Sequence, residues 1–230
     1  ARYDGSSRFG TENRYGLFPS IRLGWSMVEE EFLKNSSTIS EMKLRASYGL
    51  TGNDQIGNFD ARGLYGGGGN YSGSAGIVPS SLANLGLSWE TNNTLNLGID
   101  YGFFENRITG SVDAFDRRTK DLLLSQPILW INGFGGISNN VGELQNRGLE
   151  FELSTVNIDK GGFRWNSSFN ITKIDNQIVS LYSGLQFLPA NPGIAVGQPV
   201  GRSGEGAVFS AEYAGVNPAT GRPMWYDING

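Results

Sequence analysis

Residues 94–120, TLNLGIDYGFFENRITGSVDAFDRRTK, contain two alternating segments joined by a very short turn. In the first segment, Leu95, Leu97, Ile99, Tyr101 and Phe103 alternate with Asn96, Gly98, Asp100 and Gly102. In the second, Ile108, Gly110, Val112 and Ala114 alternate with Thr109, Ser111 and Asp113, and Phe115 interrupts the polar series. Successive side chains of a β-strand point to opposite faces, so each segment has one apolar face and one polar face. The stretch therefore predicts an antiparallel hairpin that turns at Glu105–Arg107.

The same alternation recurs in four other segments along the chain, 15–26, 42–51, 148–154 and 163–172, and a partial strand begins the sequence at ARYD. A strand of ten residues rises about 33 Å, and a tilt near 45° leaves about 24 Å along a membrane normal. That height matches the apolar band of an outer membrane. The pattern predicts six full strands, with Leu97, Ile99, Leu149, Phe151 and Phe169 facing lipid. Asn96, Glu150, Glu152 and Asn170 are predicted to face a lumen.

Short and long connections alternate along the chain. The short ones are Glu105–Arg107, Asp159–Gly162 and a longer segment from Met27 to Glu41, whose EEEFLK predicts one helical turn. The long ones run from Gly5 to Arg14, Gly52 to about Asn92, Thr119 to Asn146, and Lys173 to the end. Bacterial barrels place short turns in the periplasm and long loops outside. The predicted fold class is all-β, a transmembrane antiparallel β-barrel. A soluble β-sandwich binding module also alternates, but its loops are normally short.

Composition excludes several classes of function. There is no run of 18 apolar residues, so no transmembrane helix is expected. The chain has no histidine and no cysteine, which excludes histidine-based triads, thiol nucleophiles and the usual zinc sites. The net charge of −4 and the lack of a basic stripe argue against nucleic acid. We therefore expect no catalytic residues and no cofactor. Six strands cannot close a bacterial barrel, which needs at least about eight, so part of a larger barrel is expected.

Several blocks resemble a known family. They are MKLRASYGLTGNDQIGNFD at 42–60, the 49 residues from Gly76 to Leu124, NVGELQNRGLEFELSTVNI at 140–158, and VGQPVG at 196–201. Together they resemble the SusC/RagA family of TonB-linked outer-membrane proteins of Bacteroidota. The resemblance implies a barrel of about 22 strands with an N-terminal plug. Residues 1–230 would form part of its barrel domain, without the plug or the final strands.

The resemblance also implies a function. Members import large nutrients such as oligosaccharides or peptides, work with a SusD-like surface lipoprotein as a lid, and draw energy from TonB. A structural or interaction subunit of a larger outer-membrane complex is the alternative that the residues leave open.

A few loop residues are candidates for binding. Asp227 and Asn229 occupy the first two ligand positions of a calcium-loop pattern, although a solvated Asx turn is the favoured explanation. Aromatic rings in the long loops could stack on sugars or contact a partner protein: Tyr65, Tyr71, Trp130, Phe134, Phe187, Phe209, Tyr213 and Trp225. GGGG at 66–69 lacks the ending of a phosphate-binding loop and predicts a flexible loop tip. Glu150 and Glu152 are two residues apart on one strand, which predicts a polar lumen wall rather than a catalytic pair.

Overall fold

A computed structural model of the protein describes residues 1–185, 187–189, 197–201 and 213–226. Within these ranges the strands are β1 Arg2–Gly5, β2 Tyr15–Phe18, β3 Ser20–Ser26, β4 Ile39–Asn53, β5 Tyr65–Tyr71, β6 Ser74–Pro79, β7 Glu90–Phe103, β8 Ile108–Lys120, β9 Leu123–Pro127, β10 Gly136–Asn140, β11 Glu143–Lys160, β12 Phe163–Ser180, β13 Phe187–Pro189, β14 Gly197–Pro199, β15 Tyr213–Val216 and β16 Pro223–Trp225. Short 3-10 helices lie at Met27–Glu29, Asp60–Arg62, Trp130–Asn132 and Tyr182–Gly184. No helix of the described residues is long and apolar enough to cross a bilayer.

The long strands form one six-stranded antiparallel sheet in the order β12-β11-β8-β7-β4-β3. Each strand pairs with the next long strand of the chain, and the six predicted strands are confirmed. The register sets Leu97 opposite Ala114, and Ala114 opposite Leu149. It likewise sets Gly98 opposite Asp113, and Asp113 opposite Glu150. The period-two pattern of each strand is therefore continued across the sheet as one apolar face and one polar face.

The apolar face has no protein cover. Leu97 is 50% exposed, Leu149 58% and Phe169 53%, although burial of such side chains normally drives folding in water. A soluble sandwich would cover this face with a second sheet, and the described residues contain no such sheet. The uncovered face therefore argues against the alternative of a soluble β-sandwich. An uncovered apolar face is the structure expected of a barrel wall in lipid.

On the side of the long connections, the boundary of the apolar face crosses the strands obliquely. Leu95 lies opposite Asp116, Asp116 opposite Arg147, and Arg147 opposite Asp175. On β7 the apolar residues reach Leu95, whereas on β12 they end at Ile171, four residues before Asp175. Four residues measure about 13 Å along a strand, and the three strand spacings from β7 to β12 measure about 14 Å. The boundary of the apolar face therefore makes an angle of about 45° with the strands. This angle is close to the tilt of the strands in membrane barrels.

Two details differ from the sequence-based expectation. The predicted strand 15–26 is interrupted at Pro19, which has no N–H for a ladder; β2 pairs with β1, and β3 pairs with β4. The GGGG segment is not a loop tip but lies inside β5, where Gly66 and Gly67 pair with Val78 and Ile77. The glycines can pair because a strand ladder uses only backbone groups.

The connections between long strands are partly ordered structure. Hairpin β5–β6 lies within the connection from β4 to β7, and hairpin β9–β10 lies within the connection from β8 to β11. β11 and β12 are 18 residues each, longer than the ten residues that span a membrane, so they project beyond it. In the segment from Met27 to Glu41, the 3-10 helix Met27–Glu29 ends at the first residue of EEEFLK, and Lys34 N–H then donates to Glu30 O in a single helical turn.

Candidate functional site

The polar face of the sheet carries an ion network at mid-strand. Arg45 Nε donates to Asp100 Oδ2 at 2.8 Å, and Arg45 Nη2 donates to Asp100 Oδ1 at 2.7 Å. The same Nη2 lies 2.8 Å from Asp113 Oδ1. One guanidinium therefore joins carboxylates from two neighbouring strands, with the paired geometry that makes arginine–carboxylate contacts strong. The network fixes charged groups on the wall that faces the lumen.

Gly98 makes room for this network. It lies between Arg45 on β4 and Asp113 on β8, opposite both in the register. A Cβ at this position would lie 2.8 Å from Arg45 Cζ, a distance that real contacts essentially never show. A side chain here would therefore push the guanidinium away from Asp113, which explains why glycine occupies the middle of a strand.

The two glutamates extend the same wall. Glu150 lies opposite Asp113 and Thr172, and Glu152 lies opposite Ser111 and Asn170. A shallow cavity of about 270 Å³ is lined by Arg22, Arg45, Ser47, Asn96, Asp113 and Glu150. Cationic, anionic and amide groups alternate along it. Such a wall is wetted and can form hydrogen bonds with a polar solute that passes through the lumen.

We expect Arg45→Gln to destabilise the barrel, because it leaves Asp100 and Asp113 without their cation. The Arg45 side chain is 38% exposed, so screening by water limits the loss to about 1 kcal/mol. Denaturant unfolding of the refolded protein in detergent measures this loss of stability. Arg22→Gln is the control, since Arg22 lies on the same face and forms no ion pair among the described residues. Equal losses for both variants would contradict the role of the network.

A small buried core lies among the long connections, at the end of the sheet from which they extend. Phe9, Ala61 and Leu87 are each 0% exposed, and Ile56, Trp89 and Leu123 pack against them. We call these six residues the rim core. They come from three different connections, the β1–β2, β4–β7 and β8–β11 loops. Because one apolar cluster holds all three, the loops form a single organised rim.

Hydrogen bonds join the same three connections. Asn140 Nδ2 donates to Ser88 O at 2.9 Å, and Ser88 N–H donates to Asn140 Oδ1 at 2.8 Å. Trp89 Nε1 donates to Arg14 O at 3.2 Å, and its ring packs edge-on against Phe18 with centroids 5.3 Å apart. A side-chain amide that bonds a backbone reciprocally orients two segments, so the loops are fixed as well as packed.

Several of the aromatic residues that were predicted as binding candidates are exposed in the connections outside the six-stranded sheet. Tyr65 is 74% exposed and Trp130 77%, while Phe134 is half-buried. Tyr213 and Trp225 are 54% and 56% exposed and form an edge-on pair with centroids 5.5 Å apart. Tyr71 and Phe187 lie in β5 and β13, and their side chains are outside the description. Phe209, Asp227 and Asn229 lie outside the described residues.

Sequence reasoning missed two neighbours of Trp130. Leu129 is 73% exposed and Ile131 is 88% exposed, so three large apolar side chains project together from the tip of the β9–β10 hairpin. A 3-10 turn and Gly133, with φ of 79°, end this tip. We call Leu129–Ile131 the apolar knob. The signal was present in the sequence as LWI between a proline and three glycines, in the most apolar stretch of the chain.

The rim core itself had no such signal. Phe9 and Ala61 are isolated apolar residues in segments without strand or helix periodicity, and although Leu87 alternates with Leu85 and Trp89, nothing local indicates that the three pack together. Among the described residues, no group of three or more Asp, Glu, His or Cys side chains could hold a metal ion.

Comparison with known proteins identifies similar barrels. Residues 1–228 match the family model described as TonB dependent receptor-like, beta-barrel. TonB-dependent receptor P3 of Formosa agariphila is 38% identical over 94% of this chain and 22% of its own length. TonB-dependent receptor SusC of Bacteroides thetaiotaomicron is 40% identical over 80% of this chain and 19% of its own. The chain thus matches about a fifth of the length of these relatives.

The solved structures of the RagAB peptide importer are also similar. In the closed-closed state, the match has a TM-score of 0.83 and 31% identity, and it covers 99% of this chain and 25% of the importer chain. In the open-open state, the TM-score is 0.78 at the same identity. The six-stranded sheet and its loops therefore correspond to part of a larger barrel.

Proposed function

The chain belongs to the family of TonB-dependent receptor-like β-barrels of the outer membrane, and on this premise we propose that the protein actively imports large nutrients. The substrates would be oligosaccharides or peptides, which pass through a plugged barrel energised by TonB. The observation that carries the proposal is the arrangement of an organised loop rim at the end of a polar, charged inner wall. The rim would capture a solute. The polar face around Arg45 would form a wetted wall along which the solute passes. The relative named SusC and the similar solved structures of the RagAB peptide importer support the proposal of nutrient import.

The proposal includes no covalent chemistry and no cofactor. Its groups bind by hydrogen bonds, charge and aromatic contact, and the proposed roles of Tyr65, Trp130, Tyr213 and Trp225 are of this kind. A calcium ion held by Asp227 and Asn229 stays a prediction, and calcium titration of the receptor against Asp227→Asn would test it.

We propose in addition that a SusD-like surface lipoprotein closes over the rim, with the apolar knob as its anchor. Three adjacent apolar side chains at 73–88% exposure form the kind of surface that marks a protein contact. A few large rings usually dominate such interfaces. Gly135 supports the knob, because a Cβ there would lie 2.7 Å from the Trp130 ring and would displace it.

The double variant Trp130→Ser, Ile131→Ser should release the lipoprotein. Loss of a central aromatic anchor costs about 2 kcal/mol or more, so the amount that co-purifies should fall at least tenfold. The measurement is quantitative mass spectrometry of the receptor purified in mild detergent from its native host. Phe32→Ser is the matched control, since Phe32 is 64% exposed but lies in a short connection at the opposite end of the sheet. Unchanged co-purification with the double variant would remove the knob from the interface.

Uptake by whole cells tests the function itself. We expect cells that lack the receptor to stop accumulating a labelled oligosaccharide or peptide, and cells with the receptor to stop when TonB is removed. If uptake of every solute continues without the receptor while outer-membrane complexes fall apart, the structural-subunit alternative is favoured instead.

A further inference from the structure

The apolar outer face of the sheet ends in a charged groove on the side of the long loops. The groove has a volume of about 480 Å³. Its apolar part is lined by Leu95, Leu97, Ala114 and Leu149, and its polar part by Asp116, Arg147, Lys173 and Asp175. The register sets Lys173 beside Leu149, in the row just below Arg147 and Asp175. Charged side chains here point outward from the barrel, at the height where lipid tails give way to headgroups.

The charges of the groove are not all compensated. Arg147 Nε and Nη2 both donate to Asp175 Oδ2, at 2.9 and 2.8 Å, which leaves Nη1 without a partner among the described residues. Asp116 accepts from Gln145 Nε2 at 2.9 and 3.0 Å. Lys173 is exposed and forms no ion pair within the described part of the chain. Within the described part of the chain, the Lys173 ammonium and one guanidinium N–H of Arg147 therefore have no partner at the edge of the apolar band.

A second outward groove shows what the charged one adds. It has a volume of about 540 Å³ and lies lower on the same face, lined mainly by Leu23, Trp25, Leu44, Ile99 and Val112. Such a lining can hold acyl chains but offers nothing to a headgroup. Of these two outward grooves, the one at Lys173 joins an apolar floor to cationic donors that have no partner among the described residues, and to carboxylates.

We propose that this charged groove binds a phosphorylated, acylated glycolipid of the outer leaflet. An acyl chain would lie along Leu95, Leu97 and Leu149. A phosphate would bind the Lys173 ammonium and Nη1 of Arg147, which are the groups that phosphate prefers. Sugar hydroxyls would donate to the carboxylates of Asp116 and Asp175, so the mixed charge of the groove matches a head that carries both phosphate and hydroxyls. The site lies outside the channel and is separate from the proposed import.

Native mass spectrometry of the full-length, delipidated receptor tests the site. It is titrated with a lipid A-type glycolipid carrying its phosphates and with the same glycolipid without them. We expect Lys173→Gln to weaken binding of the phosphorylated lipid about tenfold, the usual effect of one charge-assisted hydrogen bond. Removal of the phosphates should weaken binding to the wild-type receptor by at least this factor, because the contact with Arg147 is lost as well.

Arg117→Gln is the matched control. Arg117 is an exposed cation at the same height on β8, but the register places it opposite Thr94 and Asn146 on the inner face. The Arg117→Gln variant should bind the phosphorylated lipid as tightly as the wild type does. If Lys173→Gln binds as tightly as Arg117→Gln, or if the lipid without phosphates binds the wild type equally well, the proposal is overturned.

Discussion

Replacing Phe9 by alanine is expected to loosen the entire loop rim. Phe9 is fully buried in a core that contains only two other fully buried residues, Ala61 and Leu87. Removal of a buried phenylalanine ring costs about 3–5 kcal/mol, which is comparable to what a core this small can supply. Hydrogen exchange in the connection from Asp54 to Leu64 should therefore rise toward the rate of an unprotected chain. The strands should keep their protection, because their ladders do not involve Phe9.

Tyr65→Ala is the control for this experiment. Tyr65 is an aromatic residue of the β4–β7 connection, whose hydrogen exchange is measured, but it is 74% exposed, so its removal leaves no cavity. Unchanged exchange in Phe9→Ala would show that hydrogen bonds such as Asn140 to Ser88 hold the rim without its apolar core.

Replacing Ile99 by arginine is expected to impair folding of the barrel in the membrane. Ile99 lies on the apolar face of the central strand β7, opposite Leu44 and Val112. An arginine that faces lipid at mid-membrane costs about 2–4 kcal/mol, because its charge leaves water without a partner. The folded fraction after refolding into vesicles, measured by the gel mobility of unheated samples, should fall accordingly.

Asn96→Arg is the matched control for Ile99→Arg. Asn96 is on the same strand, but its side chain lies on the polar face, where Asn96 Nδ2 donates to Ser47 Oγ. The new charge there would face water, and the cost should be much smaller. A larger loss for Asn96→Arg than for Ile99→Arg would mean that the two faces are assigned the wrong way round.

The sequence alone determined the features that depend on local periodicity. Leu95, Leu97 and Ile99 share a face in any strand, whatever lies beside it, because side chains alternate with a period of two. Turn lengths such as Glu105–Arg107 likewise follow from residues close in sequence. Six strands, their two faces and the order of short and long connections could therefore be predicted, and the motif blocks added the family.

Only the tertiary structure decided which distant groups meet. Arg45 contacts Asp100 and Asp113, which are 55 and 68 positions away in the chain, and a shift of register by one residue would turn them to opposite faces. The oblique boundary of the apolar face, and with it the groove at Lys173, exists only when four strands are aligned. The rim core could not be predicted from local patterns, since Phe9 and Ala61 lie in aperiodic loops and the alternation of Leu85, Leu87 and Trp89 does not say what these residues pack against. Their burial depends on how three loops pack together, and packing between distant segments is not encoded in any period of the sequence.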